Sequence, residues 1–168
     1  MNHLLNKLCE GELPAHAKQF RILSPVNGRV KPLDSFPSKV IAQRYLGEGV
    51  VVEASGFQVI APFDGMVERL NPTCEEVRLT STAGIKMRIQ FGLNAHHLMA
   101  DGFRIKVPEN VPFKRGQVIV EFDLRKMKMA LKSTLFAITI LNSQKLKGIV
   151  PNYRQVIAGE DHLFTLLI

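Results

Sequence analysis

From Phe20 onward, short apolar runs alternate with brief segments that contain Gly, Pro, Asn or Asp. Short runs of β-branched and aromatic residues between such turn residues predict β-strands. The predicted strands have the sequences GVVVEA, EVRLTS, IKMRIQF, FRIKV, VIVEFD, FAITIL and HLFTLLI. Many short strands with frequent turn signals predict an all-β fold, an antiparallel β-sandwich or barrel.

Two segments depart from this strand pattern. The sequence LRKMKMALKS predicts one short helix near residues 124–132, and Asp123 just before it is suited to cap the helix N-terminus. The sequence PSKVIAQRYLG is compatible with a single helical turn.

Two stretches of the chain are near repeats of each other. FRILSPVNGRVKPL begins at Phe20, and FQVIAPFDGMVERL begins at Phe57. Each contains an apolar strand, a Ser-Pro or Ala-Pro pair, and then Asn-Gly or Asp-Gly, which is a strong turn signal. The repeat predicts a fold of two related halves within one domain.

Residues 1–19 are predicted to form a flexible arm that precedes the β domain of residues 20–168. Leu4, Leu5 and Leu8 lie on one side of a helical turn, and Gly11 and Pro14 end that pattern. Such an amphipathic segment predicts weak membrane contact through residues 3–9. A frayed terminus is the alternative.

Size and composition fit a single globular domain. The chain has 168 residues, of which 46% are hydrophobic and 22% charged. No apolar run approaches the ~20 residues of a membrane span, and no signal peptide opens the sequence. The two cysteines form at most one disulfide. We therefore expect a reduced, cytoplasmic setting.

The net charge favours acidic partners. The 22 Lys and Arg residues against 15 Asp and Glu residues give a formal charge of +7. The basic residues are scattered, however, and two tyrosines without any tryptophan offer few platforms for base stacking. We expect no nucleic-acid binding.

Several motifs occur in an order that is specific to one family. They are SPVNGRV, APFDGMV, FGLNA followed by DGF, GQVIVEFDL, and KSTL followed by an apolar strand and Asn142. From Ile22 to Ile168 the chain resembles the glucose-type enzyme IIA of the bacterial phosphoenolpyruvate-dependent sugar phosphotransferase system. The resemblance implies a β-sandwich of two similar halves with a shallow site on one face. There, a histidine receives a phosphoryl group from HPr and passes it to a sugar permease, with a second histidine and a hydroxyl beside it.

The resemblance also implies which residues occupy that site. An alignment without gaps through Gly84 and Phe91 places the family's two histidines at Glu75 and Gln90, and its hydroxyl at Thr73. A glutamine can donate a hydrogen bond but cannot titrate. A carboxylate can carry phosphate only as an acyl phosphate, which usually requires Mg²⁺. We therefore expect a degenerate site that uses no cofactor and no metal.

The surface that docks HPr in the family is an apolar disc with an acidic margin. The corresponding residues here are Lys39, Val40, Ile41, Leu46, Asn71, Arg78, Arg88, Asn94 and His96. Basic residues that face a basic partner are unfavourable. Docking of HPr and of a sugar permease is therefore doubtful, and an acidic protein partner is expected instead.

These features predict a glucose-type enzyme IIA-like protein that is not phosphorylated and acts as a regulatory binding protein. The alternative is an active phosphocarrier that accepts phosphate from HPr, at Glu75 or His96, and passes it to a permease.

Cys74 is a further candidate nucleophile, although a small half-buried thiol is the more common role. The adjacent His96 and His97 suit an ordinary polar loop. Strand neighbours point to opposite faces, so the pair is a poor chelate for a zinc peptidase. The repeat turns lack the exposed lysine of a lipoyl or biotinyl carrier.

Overall fold

A computed structural model describes residues 6–16 and 18–168. Its strands are β1 (Gln19–Leu23), β2 (Asn27–Pro32), β3 (Glu48–Ser55), β4 (Gln58–Ile60), β5 (Gly65–Leu70), β6 (Glu76–Ser81), β7 (Lys86–Phe91), β8 (Phe103–Ile105), β9 (Pro112–Phe113), β10 (Val118–Phe122), β11 (Leu135–Ile140), β12 (Gly148–Pro151), β13 (Gln155–Val156) and β14 (His162–Leu167). The helices are α1 (Lys39–Ala42) and α2 (Leu124–Ala130).

The strands form three antiparallel sheets. The largest has eight strands in the order β13-β2-β3-β11-β7-β6-β5-β9. Two smaller sheets have the orders β1-β14-β12 and β4-β10-β8. The predicted all-β antiparallel fold is confirmed.

Alternation along the strands gives the large sheet two different faces. In β3, Val50 and Val52 point into the main hydrophobic core, whereas Val51 belongs to a smaller cluster on the other face. In β11, Phe136 points into the main core and Ala137 into the smaller cluster. We call the side that carries Val51 and Ala137 the outer face of the large sheet.

The near repeat corresponds to equivalent pieces of structure. In each copy a strand of a small sheet, β1 or β4, leads into a strand of the large sheet, β2 or β5. The predicted Asn-Gly and Asp-Gly hairpin turns are absent: Gly28 lies inside β2 and Gly65 begins β5. A Cβ atom would overlap the carbonyl oxygen of Glu53 at Gly28, and that of Thr80 at Gly65. These glycines therefore permit close strand approach.

Both helical predictions are confirmed. The Oδ1 atom of Asp123 caps α2 by accepting a hydrogen bond from the backbone N–H of Lys126 at 3.1 Å. The predicted single turn is α1. Among the described residues, no helix is both long and apolar enough to cross a membrane.

Part of the N-terminal arm is bound to the domain. The N–H of Cys9 donates to the carbonyl of Ile149 at 2.9 Å, and the N–H of Ile149 donates to the carbonyl of Lys7 at 2.8 Å. Leu8 forms a parallel bridge with Ile149. The predicted helical turn is therefore wrong at Leu8, because bonds to β12 replace those of a short and marginal helix. Its other leucines, within residues 3–5, lie outside the described residues.

Candidate functional site

The predicted site lies on the outer face of the large sheet, where β6 begins and β7 ends. Gln90 of β7 is paired with Glu76 of β6 on one side and with Ala137 of β11 on the other. Arg88 is paired with Arg78 on β6. The alternating residues between them belong to the main core, so these polar side chains share the outer face.

Gln90 is buried, and both ends of its amide have protein partners. Only 6% of the surface of Gln90 is exposed to solvent. The Nε2 atom donates to the carbonyl of Gly92 at 3.0 Å, and Oε1 accepts a hydrogen bond from Nη2 of Arg88. Gly92 has φ of 76° at the turn, which favours glycine. Gln90 therefore serves here to join Arg88 to the end of β7.

Glu76 is a site residue that the sequence analysis did not identify. Its Oε2 atom forms an ion pair with Nε of Arg88, and its Oε1 atom accepts a hydrogen bond from Nη2 of Arg78 at 3.1 Å. The side chains of Glu76 and Arg88 are only 12% and 7% exposed. The alternation in EVRLTS was the available signal, because it places Glu76 on the same face as Arg78.

This ion-pair cluster changes the electrostatics expected for the site. Burial lowers the pKa of the Arg88 guanidinium, and the neighbouring Glu76 carboxylate opposes that shift. Glu76 offsets part of the positive charge of the two arginines. The Nη1 atom of Arg88 and the Nε atom of Arg78 have no hydrogen-bond partner among the described residues. Both atoms are buried, so neither donor is open to solvent.

The fold brings together Glu75 and His96, which are far apart in sequence. Oε1 of Glu75 lies 3.3 Å from Nδ1 of His96, and the side chains are 34% and 42% exposed. The backbone N–H of Phe91 donates to the carbonyl of Glu75 at 3.0 Å, which fixes Glu75 beside the end of β7. His96 lies in a 3-10 turn that follows Asn94, whose φ is 58°. The ring of His97 packs against that of His96 with centroids 4.3 Å apart.

Thr73 and Cys74 lie in the turn that leads into β6. The N–H of Cys74 donates to the carbonyl of Asn71 at 3.0 Å, and Cys74 has φ of 52°. Cys74 is fully buried, not half-buried, and burial raises the pKa of its thiol. Cys74 is therefore unsuited to act as a nucleophile.

The predicted docking face is only partly exposed. Val40 is 52% exposed and Lys39 is also exposed, whereas Ile41 is buried in the smaller cluster and Leu46 packs against it. Ile41 and Arg88 thus lie beneath this face and not on it, because α1 and the sheet turn them inward. Tyr45, 64% exposed, joins the face and was not identified from the sequence.

An ion-pair network centred on the buried side chain of Arg44 lies next to α1. Nε of Arg44 donates to Oε2 of Glu48 at 2.8 Å, and Nη1 of Arg44 donates to Oδ1 of Asp34 at 2.9 Å. Burial opposes the charged form of Arg44, but Glu48 and Asp34 outweigh it, so the pKa of Arg44 is raised. The backbone N–H of Lys7 also donates to Oε2 of Glu48, at 3.1 Å. This network links α1 to the bound arm.

The fold and this site can now be compared with known proteins. The family model described as phosphoenolpyruvate-dependent sugar phosphotransferase system, EIIA 1, matches residues 20–146. The chain belongs to this EIIA family, which confirms the resemblance drawn from the sequence motifs.

Individual relatives agree with this assignment. The glucose-specific EIIA component of Haemophilus influenzae is 28% identical over 148 residues, covering 88% of this chain and 89% of the relative. That of Buchnera aphidicola is 30% identical over 145 residues, covering 86% of each. The solved structure of glucose permease IIA from Mycoplasma capricolum superposes with a TM-score of 0.80 at 21% identity, covering 89% of this chain and 96% of that one.

Proposed function

We propose that this chain is a glucose-type EIIA-like binding protein that carries no phosphoryl group and regulates a partner by direct contact. The observation that carries the proposal is the state of Gln90, which is buried and held at both ends of its amide. In this family an exposed basic nitrogen accepts the phosphoryl group, and a carboxylate could accept it only as an acyl phosphate. Neither Gln90 nor the carboxylate of Glu75 offers such a nitrogen.

The ion pairs around Gln90 support the same proposal. Arg88 is the buried cation nearest to Gln90, and it is bound to Glu76 and to Gln90 itself. An incoming phosphoryl group, with nearly two negative charges, would meet the carboxylates of Glu75 and Glu76. Phosphoryl transfer at this site therefore requires the contacts of Arg88 with Glu76 and Gln90 to be broken first.

The exposed part of the face fits an acidic protein partner. Val40 and Tyr45 supply apolar contact area, and Lys39 lies beside Val40 on α1. Arg78, which is paired with Glu76, adds a cationic side chain that is 30% exposed. HPr, itself basic in the family, is disfavoured by these cations. Binding of an acidic partner should weaken as salt increases.

The test is intact-mass analysis after incubation with phosphoenolpyruvate, enzyme I and HPr, beside an active glucose-type EIIA as control. We expect no mass gain here while the control is fully converted. A variant that carries Glu75→His and Gln90→His separates the causes: a mass gain in this variant alone assigns the loss to these two positions. A gain of one phosphoryl group by the unaltered chain would overturn the proposal.

The second candidate function is an active phosphocarrier, and the contact between Glu75 and His96 favours it. The Glu75 carboxylate lies beside Nδ1 of His96, so Nε2 is the ring nitrogen left for a phosphoryl group. This candidate predicts a mass gain that is lost in His96→Ala but kept in His97→Ala. The adjacent His97 is a matched control because it is the more exposed member of the ring pair.

A further inference from the structure

The helix α2 has one buried side and one fully exposed side. Met127 is buried, and Leu124 packs against the main core three residues earlier. Arg125, Lys128 and Met129 share the opposite side at helical spacing. Met129 is 81% exposed, the highest value among the exposed large apolar residues of the described chain. The exposed side therefore combines basic residues with a protruding apolar one.

The positive charge on this side is unpaired. Within the part of the chain that the structure describes, Arg125, Lys128 and Lys132 form no ion pair. Lys126 is different, because its Nζ atom binds Oδ1 of Asp101 at 2.7 Å. The pKa of Glu53 is lowered mainly by its ion-pair partner Lys31 and to a smaller extent by Lys128. Glu53 is therefore already paired. The exposed side of α2 thus presents cations that form no ion pair with a carboxylate of residues 6–16 or 18–168.

The shape of the surface distinguishes between possible acidic occupants. A protein partner needs a complementary surface around each apolar anchor. Met129 instead projects outward from the exposed side of α2, one residue before the helix ends. A bilayer of anionic lipid accepts a protruding apolar side chain and attracts diffuse basic charge at the same time.

We propose that Arg125, Lys128 and Met129 of α2, together with Lys132 just beyond it, form a docking surface for an anionic lipid bilayer. Met129 enters the boundary between headgroups and acyl chains. The basic side chains lie at headgroup level, with their aliphatic stems toward the apolar layer. This surface is separate from the arm residues 3–9 and does not depend on the proposed function of the Gln90 site.

The experiment is co-sedimentation of the full chain with vesicles of phosphatidylcholine mixed with phosphatidylglycerol, compared with pure phosphatidylcholine. We expect binding to the mixed vesicles alone, and weaker binding at higher salt. One basic residue at an anionic surface changes the partition coefficient about fivefold, so Lys128→Glu should reduce it at least about fivefold. Met129→Ser should also weaken binding while leaving the net charge unchanged.

The matched control is Arg115→Glu, because the side chain of Arg115 is exposed, forms no ion pair among the described residues and precedes β10, whose other end leads into α2. It changes the net charge as Lys128→Glu does and should leave vesicle binding within about twofold. Thermal unfolding confirms that the variants fold. An equal loss in Arg115→Glu would mean that net charge alone binds lipid. The proposal would be overturned by that result. It would also be overturned if the unaltered chain bound no vesicles, or if vesicle binding were lost only when residues 1–5 are removed. Unchanged vesicle binding by Lys128→Glu, with weaker binding to a polyglutamate peptide, would assign α2 to acidic proteins and overturn it too.

Discussion

Replacement of Glu76 by leucine tests the buried ion-pair cluster of the site directly. The change removes the carboxylate that pairs with both Arg88 and Arg78 while keeping a side chain of similar size. Arg88, whose side chain is only 7% exposed, is then left charged in a buried position without its counterion. The folded chain then either keeps the unpaired charge of Arg88 in its interior or exposes Arg88 to water.

The expected loss follows from the burial of the pair. Removing one member of a buried ion pair costs about 3–5 kcal/mol of unfolding free energy. The second contact of Glu76 adds less than about 1 kcal/mol, because Arg78 is 30% exposed. We expect Glu76→Leu to lose at least about 3 kcal/mol, which is ~6–12 °C in melting temperature for a chain of this size. Glu76→Leu with Arg88→Met should return to within about 1 kcal/mol of the unaltered chain, since apolar residues can replace a buried pair.

The assay is urea unfolding followed by circular dichroism, with one matched control on the same sheet. Glu68 pairs with Lys86 at 3.1 Å, but these side chains are 39% and 46% exposed. Glu68→Leu should therefore lose less than about 1 kcal/mol. The reasoning fails if Glu76→Leu costs no more than Glu68→Leu, or if the double variant is as unstable as Glu76→Leu alone.

Three further expectations follow from other buried groups. Glu48→Gln weakens the acceptor shared by Arg44 and Lys7 and should cost about 3 kcal/mol of unfolding free energy. It should also speed hydrogen exchange in both the arm and α1, and unchanged exchange in the arm would contradict the link between them. Burial, then Glu10, raises the pKa of Tyr153 to about 12, so in Tyr45→Phe its phenolate absorbance should appear only near that pH. Because the unfolded tyrosine ionises near pH 10, stability should fall between about pH 10 and 12, and this slope should vanish in Tyr153→Phe. In Cys9→Ser, the buried Cys74 should react with Ellman's reagent only after unfolding, and rapid labelling of the native chain would refute its burial.

The strands of the large sheet were the most predictable part of the fold. EVRLTS coincides with β6, and alternation in this run is strong because only one face of the sheet is covered by the main core. In contrast, β12 was missed because Gly148 and Pro151 bound a run of only two apolar residues. Its identity as a strand depends on pairing with β14, a contact distant in sequence. The bound arm was missed for the same reason, since it needs the edge of β12.

At the site, the sequence predicted positions better than it predicted contacts. Gln90 and Arg88 both belong to the predicted strand IKMRIQF, and their two-residue spacing places them on one face of it. The pairing of Arg88 with Glu76 requires the register between β6 and β7. The approach of His96 to Glu75 requires a left-handed residue at Asn94, which asparagine tolerates but does not demand. Burial of Ile41 likewise depends on how α1 sits on the sheet.

The ion pairs also affect which ligand the site can take. A phosphoryl group needs donors that are free when its charge arrives, yet Arg88 is engaged by Glu76 and Gln90. Freeing Arg88 would leave Glu76 with the contact to Arg78 but without that to Arg88 beside the incoming anion, so each new contact would cost an existing one. A carboxylate on a partner surface could instead approach the exposed part of the Arg78 side chain without breaking the Arg88 pair. This internal pairing is the reason that we propose binding of a partner's acidic group at this site and not transfer of phosphate.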